Sequence, residues 1–244
     1  MKYVGIIPAR FGSVRFPGKP LALILGKSLI RRTYENAKKA SALSDLIVAT
    51  EDQRIYDHVL DFGGKAVLIS SQCPKGSDAV AEAALGFPDA EIIVNIQGDE
   101  PCVEPEIIDQ LAKSLENDPD AVVATAASPL RAADPMAVTC TVDLKGHALY
   151  FSRSLIPGNK GGIYHPSLPY LRHIGLYAFR RDFLLTYAAL PPTPLMLVED
   201  LEQLKVLEHG YKIRVEIVES ASQGVDWPHD IQKVELLCQQ NMSS

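Results

Sequence analysis

Three cations follow the first apolar segment of the chain. The stretch IIPARFGSVRFPGKPL, residues 6–21, leads from a β-type segment into a loop that carries Arg10, Arg15 and Lys19. Glycines leave backbone N–H groups open to a ligand, and Arg and Lys side chains neutralise several negative charges at once. The loop therefore has the groups that a triphosphate needs. The alternative is a solvated basic turn, because most loop cations simply face water.

Two acidic turns offer carboxylates for the same chemistry. In VNIQGDEP, residues 94–101, Asp99 and Glu100 directly follow an apolar strand, where a carboxylate can hold a divalent cation for a phosphate ligand. In GVDWPHD, residues 224–230, Asp226 supplies either a further carboxylate or the N-cap of a Pro-started helix. A turn whose acids only face solvent is the alternative for Asp99 and Glu100, as the N-cap is for Asp226.

Two familiar phosphate-binding motifs are excluded. No G-x-G-x-x-G follows the first strand, which argues against a dinucleotide-binding dehydrogenase. The GKS at 26–28 suggests a P-loop, but that motif needs a glycine where the chain has Leu21.

Short apolar strands alternate with amphipathic helices over the first 130 residues. Strands are predicted at 3–7, 45–50, 65–70, 91–96 and 121–126, and helices at 28–40, 52–61, 77–85 and 105–116. This order predicts an α/β fold of three layers, with a mostly parallel sheet that binds ligands at the carboxyl ends of its strands. The cationic loop and the turn at Asp99 should both lie at that edge.

The pattern changes after about residue 135. Strand-like segments at 139–143, 147–152 and 172–179 follow one another without helices, which predicts a smaller mixed or antiparallel extension. A Gly/Pro-rich loop is expected at 157–169, a long helix at 198–209, a strand at 213–218 and a last helix from Pro228.

The composition is that of an ordinary soluble globular protein, long enough to bury one sizeable core. The 244 residues are 47% apolar, and the formal net charge of −6 argues against general binding of nucleic acid or anionic membranes. Cys73, Cys102, Cys140 and Cys238 lie far apart without zinc-ligand spacing, so neither a disulfide framework nor a structural metal is indicated. No signal peptide or membrane span is evident, and a cytoplasmic protein is expected.

The motifs together resemble a known enzyme family. In order along residues 3–237 stand IIPAR-x-x-S-x-R-x-PGKPL, ILGK, IVATED, VNIQGDEP, ALYFSRS-x-IP, HIGLYAF, EDLEQLKVLE-x-G and GVDWPHD. This set is similar to that of the 3-deoxy-manno-octulosonate cytidylyltransferases, or CMP-Kdo synthetases. Related sialic-acid and sugar nucleotidyltransferases share the first loop in looser form, whereas VNIQGDEP combined with LEQL and GVD is particular to the Kdo enzymes.

The resemblance implies an activity and an organisation. The activity is transfer of CMP from CTP to the anomeric hydroxyl of 3-deoxy-D-manno-octulosonate (Kdo), which releases pyrophosphate and serves lipopolysaccharide synthesis. Mg²⁺ is the implied cofactor, and CTP and Kdo are the implied partners. The implied fold is one Rossmann-like nucleotidyltransferase domain, 1–244, whose residues 1–130 bind the nucleotide. Residues from about 135 to 200 would bind the sugar acid and form a homodimer through ALYFSRSLIP.

The resemblance also assigns roles to single residues. Arg15 and Lys19 would contact the β- and γ-phosphates, Arg10 would lie nearer the α-phosphate, and Asp99 and Asp226 would hold Mg²⁺. The residues assigned to catalysis are Arg10, Arg15, Lys19 and Asp99. The nucleotide-binding set is Pro8, Ala9, Arg10, Ser13, Arg15, Lys19, Gly76, Ser77 and Gln97, and the sugar-binding set is Gln97, Arg153, His173, Tyr177, Glu202 and Gln203.

Two positions depart from the family pattern. The family usually has Arg where Ala79 stands, and it tends to have Lys in the place of Thr139. Either cation could help to bind the nucleotide or the sugar acid. One alternative is therefore a cytidylyltransferase for another anionic acceptor, such as amino-Kdo, a sialic-type acid or a phosphonate. The other is a non-catalytic nucleotide-binding relative, for which loss of Asp99 or Asp226 would be the sign; both are present.

Overall fold

A computed structural model describes residues 2–13, 15–70, 75–161, 163–220 and 224–242, so Cys73 lies outside it. The strands are β1 (Tyr3–Pro8), β2 (Leu23–Ile24), β3 (Lys27–Ser28), β4 (Leu43–Thr50), β5 (Ala66–Leu68), β6 (Ile92–Asn95), β7 (Ala121–Pro129), β8 (Thr139–Val142), β9 (Ala148–Ser152), β10 (Leu171–Arg180) and β11 (Lys212–Ile217). The helices are α1 (Leu29–Ala37), α2 (Gln53–Asp61), α3 (Gly76–Ala84), α4 (Pro105–Asn117), α5 (Arg181–Ala189), α6 (Pro194–Glu199), α7 (Leu204–Glu208) and α8 (Asp230–Met242).

The chain divides into two compact units, Met1–Asp109 with Ala221–Ser244, and Gln110–Ser220. In the first unit β6, β1, β4 and β5 pair side by side, all parallel. Pro8 pairs with Ala49 and Ile6 with Asn95, so these strands end at a common edge. The cationic loop and the turn at Asp99 begin at that edge, as the βα order predicts.

Helix α1 shows why these segments fold as they do. The Ser28 side chain accepts a hydrogen bond from Arg31 N at 3.3 Å, which satisfies a free N–H group at the start of the helix. Ile30, Tyr34 and Ala37 are buried, and they recur at the four- and three-residue spacing that gives a helix one apolar face.

The second unit contains the antiparallel extension. Strand β10 pairs antiparallel with β7 and with β8, and β8 pairs antiparallel with β9. Strand β11 lies parallel to β7. The predicted fold class, a mostly parallel α/β sheet with a mixed extension, is thus confirmed, whereas the assignment of the whole chain to one domain stays a prediction.

The single helix predicted at 198–209 is wrong. Helix α6 ends at Glu199, Asp200 takes a left-handed conformation with φ of 52°, and α7 starts only at Leu204. The Arg153 guanidinium donates to the carbonyl oxygens of Glu199 at 2.7 Å and Asp200 at 3.1 Å. Because a side chain satisfies the last carbonyl groups, the helix can stop there without leaving acceptors unpaired.

One helix and one two-stranded hairpin have no counterpart in the sequence prediction. Helix α5 buries Phe183, Leu184 and Tyr187, and β2 pairs with β3 through a turn in which Leu25 and Gly26 have positive φ angles. Among the described residues, no helix combines the length and apolar content that crossing a bilayer requires.

Gly98 lets the turn at Asp99 approach the end of β1 closely. A Cβ atom at this position would lie 2.5 Å from the carbonyl oxygen of Pro8, the last residue of β1. That contact is with backbone, which cannot rotate away. The turn at Asp99 can therefore approach β1 only because residue 98 has no side chain.

Gly98→Ala should lower the thermal unfolding midpoint by several degrees, because the backbone must shift to remove the clash. Gly12→Ala is the matched control, since a Cβ atom there meets nothing within 4 Å. Differential scanning calorimetry of the two variants checks this. Equal midpoints would show that the close approach places no demand on residue 98.

Candidate active site

Hydrogen bonds within the cationic loop fix its path. The Phe11 carbonyl oxygen accepts from Ser13 N at 3.0 Å and from Gly18 N at 2.9 Å. Gly18 has φ of 69°, a conformation that glycine adopts without strain. Lys19 then begins a single 3₁₀ turn that ends at Leu21.

Arg54 supports the loop from α2. Its guanidinium stacks on the Phe11 ring, with Cζ 3.4 Å from the ring centroid. Asp52 holds that guanidinium through bonds of 2.9 Å and 2.6 Å. Stacking on an aromatic face suits the planar Arg side chain, so Arg54 helps to position the loop without facing the cleft itself. The sequence analysis did not identify this residue.

Helix α1 supports the turn at Asp99. Thr33 Oγ1 donates to the Gly98 carbonyl oxygen at 3.3 Å, and Asn36 Nδ2 donates to the Pro101 carbonyl oxygen at 2.7 Å. The sequence analysis missed both residues. A polar residue such as Thr33 on the buried face of an amphipathic helix is the signal that could have identified them.

The Lys19 ammonium joins three separate segments. Its Nζ lies 2.7 Å from Asp99 Oδ2 and 2.8 Å from the carbonyl oxygen of Val225. The side chains of Lys19 and Asp99 are 13% and 33% exposed, so the pair is partly withdrawn from solvent. A second bond, from Val225 N to the Asp99 carbonyl oxygen at 2.9 Å, fixes the C-terminal loop beside this turn.

Asp226 pairs with the other cation of the loop. Arg15 Nη2 lies 2.8 Å from Asp226 Oδ1, and both side chains are more than half exposed. The side chain of Asp230, not that of Asp226, accepts the backbone N–H groups of Asp226 and Trp227, at 3.1 Å and 2.9 Å. Asp230, the first residue of α8, thus holds the segment that precedes the helix, and the Asp226 carboxylate pairs with Arg15.

A cleft of about 240 Å³ opens where these loops meet. It is lined by Pro8, Ala9, Arg10, Gly12, Ser13, Lys19, Pro20, Leu29, Gly76, Gln97, Gly98 and Asp99. The structure thus gathers most of the residues that the resemblance assigns to nucleotide binding and catalysis. Ser77 is buried in the first turn of α3 and does not line the cleft, and Arg15 pairs with Asp226.

The carboxylates at this site suit a divalent cation. Asp99 and Asp226 lie on loops joined by the bond from Val225 N, and both carboxylates are partly exposed. Within the described ranges, no three His, Cys, Asp or Glu side chains gather as a metal site. Mg²⁺ fits this donor set, because it usually takes one or two carboxylates and completes its shell with substrate phosphates and water.

The residues assigned to the sugar acid, other than Gln97, lie in the second unit. His173 and Tyr177 are neighbours on β10, with ring centroids 5.4 Å apart, and Thr125 Oγ1 lies 3.0 Å from His173 Nε2. Glu202 and Gln203 lie in the break between α6 and α7. Arg153 is exposed, and its backbone N–H and guanidinium both bond to Glu199 at the end of α6.

The environment of this group perturbs its titration. Burial, with a smaller effect from the positive charge of Arg172, lowers the pKa of His173 to about 3. Burial and the negative charge of Glu202 raise the pKa of Tyr177 well above its usual value. The Gln203 Nε2 atom is buried and has no hydrogen-bond partner among the described residues. The group therefore offers neutral donors and one unsatisfied amide, which suits binding of a polyol.

The two departures from the family pattern are at buried positions. Ala79 is 0% exposed within α3, and Thr139 is 1% exposed and donates from Oγ1 to the Ser154 carbonyl oxygen at 2.8 Å. An Arg or Lys here would bring a charge into the protein interior. Each departure therefore fits the packing of this chain.

Comparison with known proteins identifies the family. The profile described as cytidylyltransferase matches residues 4–213. The chain is 56% identical to the 3-deoxy-manno-octulosonate cytidylyltransferase of Protochlamydia amoebophila, covering 98% of this chain and 95% of that protein. It is 48% identical to the mitochondrial protein of that name from Arabidopsis thaliana, covering 99% of this chain and 85% of that protein.

Solved structures agree. CMP:2-keto-3-deoxy-manno-octonic acid synthetase complexed with CTP has a TM-score of 0.92 and 39% identity, covering 99% of this chain and 100% of that chain. The 4-diphosphocytidyl-2C-methyl-D-erythritol synthase of Anaerococcus prevotii, at 12% identity and a TM-score of 0.63 over 98% of each chain, shares the fold. This chain belongs to the cytidylyltransferase family of nucleotidyltransferases, and within it to the 3-deoxy-manno-octulosonate cytidylyltransferases. The family resemblance of the motifs is confirmed.

His173 should make folding stability depend on pH. Its pKa is lowered from 6.5 to about 3 in the folded chain, so the unfolded chain binds more protons between these values. Stability from the neutral ring is therefore fully present above pH 6.5 and is lost as pH falls towards 3, at most by about 1.4 kcal/mol per pH unit.

Urea unfolding between pH 7.5 and pH 4 checks this by comparing the parent chain with His173→Gln. The glutamine variant keeps a hydrogen-bonding side chain that cannot titrate. Its free energy of unfolding should fall less steeply with acid than that of the parent chain. His165→Gln, in an exposed loop position, is the control and should follow the parent. Parallel curves for both variants and the parent would contradict the expectation.

Proposed function

We propose that this chain transfers CMP from CTP to the anomeric hydroxyl of Kdo, which yields CMP-Kdo and pyrophosphate for lipopolysaccharide synthesis. The observation that carries the proposal is the cleft that Arg10, Lys19 and Asp99 line at the carboxyl edge of the parallel sheet. A triphosphate brings about four negative charges, and the sugar acid adds its own carboxylate. The site needs cations at this edge before the two substrates can meet.

The binding of CTP would rearrange two ion pairs. Lys19 is held by Asp99 and Arg15 by Asp226, so each cation is now neutralised by a carboxylate of the site. The β- and γ-phosphates would draw Lys19 and Arg15 from these partners, and Arg10 would contact the α-phosphate. The sugar hydroxyl oxygen then bonds to the α-phosphorus as the bond to the leaving pyrophosphate breaks, and the hydroxyl proton passes to water. The cations stabilise the charge that builds on that leaving group.

Asp99 and Asp226 are the carboxylates that would hold Mg²⁺. When bound, Mg²⁺ supplies positive charge at the α-phosphate and lowers the pKa of a nearby hydroxyl group. The carboxylates become available for this role as Lys19 and Arg15 turn to the triphosphate. Binding of the metal and of the nucleotide should therefore favour one another.

The sugar acid is proposed to bind to His173, Tyr177, Glu202 and Gln203. Arg153 and Gln97 are proposed to contribute. The unsatisfied Gln203 amide supports this role, because a buried donor without a partner costs free energy that a ligand hydroxyl would recover. A neutral His173 can bind a hydroxyl without taking up a proton near neutral pH.

A cytoplasmic homodimer is proposed, formed through residues 148–157. Leu149 in this segment is 62% exposed, and Leu197 and Val198 on α6 are also exposed. Ser152 Oγ donates to Glu199 Oε1 at 2.7 Å, which links the end of β9 to the end of α6. Exposed apolar side chains on two linked elements support an interface here.

The test of the proposed function is release of pyrophosphate across a matrix of nucleotides and sugar acids with Mg²⁺. CTP with Kdo should give the highest kcat/KM, at least about tenfold above UTP with Kdo and above CTP with a sialic acid, amino-Kdo or a phosphonate. Tenfold corresponds to about 1.4 kcal/mol in transition-state binding. If another acceptor were preferred by that factor, it would replace Kdo as the proposed substrate. Absence of turnover with every pair would overturn the proposed enzymatic function.

Lys19→Ala should lower kcat/KM for CTP by about tenfold or more, because one cation no longer faces the leaving group. Lys27→Ala is the matched control, since Lys27 also forms an ion pair, with Glu35 at 2.6 Å, but on an exposed surface. Its kcat/KM should stay within about twofold of the parent value. An unchanged kcat/KM for Lys19→Ala would show that Lys19 has only a structural role.

A further inference from the structure

Two cysteines from distant parts of the chain meet in the first unit. Cys102 follows the turn at Asp99, and Cys238 lies on α8, yet their Sγ atoms are only 3.1 Å apart. Both residues are buried, at 8% and 7% exposed. A disulfide has an S–S length of about 2.05 Å, so the two sulfur atoms need to approach by only about 1 Å.

The contact between the two cysteines links α8 to other elements of the first unit. Cys102 and Cys238 belong to an apolar cluster with Ile24, Leu29, Val225 and Val234, against which Phe16 and Ile231 also pack. One polar contact of α8 with the rest of the unit is made by Glu235 Oε1, which accepts from Leu25 N at 3.0 Å. A covalent bond at Cys238 would therefore hold the helix by its C-terminal half.

We propose that Cys102 and Cys238 are a reversible redox pair, whose disulfide fastens α8 to the segment that follows Asp99. The oxidant is hydrogen peroxide. One sulfur attacks a peroxide oxygen, the O–O bond breaks, and a sulfenic acid and one water form. The second sulfur attacks the sulfenic sulfur, the S–O bond breaks and a second water leaves. In total, two thiols lose two electrons and two protons, and one peroxide becomes two waters.

The burial that holds the pair together also controls its rate of reaction. Burial, together with the neighbouring Cys238, raises the pKa of Cys102 to about 12, so the reactive thiolate is scarce while the cluster is closed. Reaction then requires opening of α8 from the cluster, a local motion that exposes the sulfurs to peroxide. The pair responds slowly to oxidant and, once joined, prevents that opening.

The bond would act on the candidate site through α8. Asp230, in the first turn of α8, accepts the N–H groups of Asp226 and Trp227, and Val225 is bonded to Asp99. Fastening α8 should thus stabilise the loop that carries Asp226 without changing its contacts. The inference does not depend on the identity of the substrate.

Peptide mapping after treatment of the whole native chain with hydrogen peroxide tests the proposal. Blocking of free thiols with N-ethylmaleimide and digestion without reductant should give one cross-linked product, which joins the peptides of Cys102 and Cys238, and dithiothreitol should abolish it. Free thiols at both positions, separate oxidation of each, or links to Cys73 or Cys140 would overturn the proposal.

Thermal unfolding tests what the bond does. Peroxide treatment should raise the Tm of the parent chain by about 4 °C or more, because the bond closes a long loop of the unfolded chain. Cys238→Ala should lose this increase, whereas Cys140→Ala, which removes another buried thiol, should keep it. A disulfide that forms without raising the Tm, or an increase that survives in Cys238→Ala, would contradict the fastening of α8.

Discussion

The arrangement of the candidate site depends on one ammonium group. Lys19 Nζ lies within hydrogen-bond distance of Asp99 Oδ2 and of the Val225 carbonyl oxygen, so three segments far apart in sequence converge on it. A cation that is only 13% exposed must have such partners, because burial of an unpaired charge is costly. The same ammonium is the group that a triphosphate would attract, so the contact that organises the loops is also one that a substrate can replace.

Apolar packing brings the partners of this ammonium together. Phe16 from the cationic loop, Leu29 from α1 and Val225 from the C-terminal loop share one cluster with Val234 of α8. This cluster places the carbonyl oxygen of Val225 beside Lys19, and Asp226 follows one residue later. The polar site thus depends on a hydrophobic surface behind it, which sets where the charged groups can lie.

Much of this organisation could be predicted from sequence. The apolar strands and the βα order place the cationic loop and Asp99 at one edge of the parallel sheet, because parallel strands end together. Long motifs identify the family. Local pattern and family resemblance were sufficient for the fold class and the family, whereas the roles that the resemblance gives Asp226 and the sugar-binding residues stay predictions.

Contacts between distant segments could not be predicted in this way. The break after Glu199 depends on Arg153, which follows β9 and donates to the carbonyl oxygens of Glu199 and Asp200. Stacking of Arg54 on Phe11 and the meeting of Cys102 with Cys238 likewise join residues whose spacing carries no signal. The sequence also left Asp226 between a site carboxylate and an N-cap, and its ion pair with Arg15, more than 200 residues away, is a further contact without a local signal.

In the absence of CTP, the Lys19 ammonium should compete with a metal ion for the Asp99 carboxylate. The binding of Mn²⁺ without nucleotide tests this competition most directly. Electron paramagnetic resonance of free Mn²⁺ gives the Kd for the parent chain, for Lys19→Met and for Lys27→Met as control. If the ammonium competes for Asp99, Lys19→Met should bind Mn²⁺ at least about fivefold more tightly than the parent, about 1 kcal/mol, and Lys27→Met should not. Equal or weaker binding by Lys19→Met would contradict the claim.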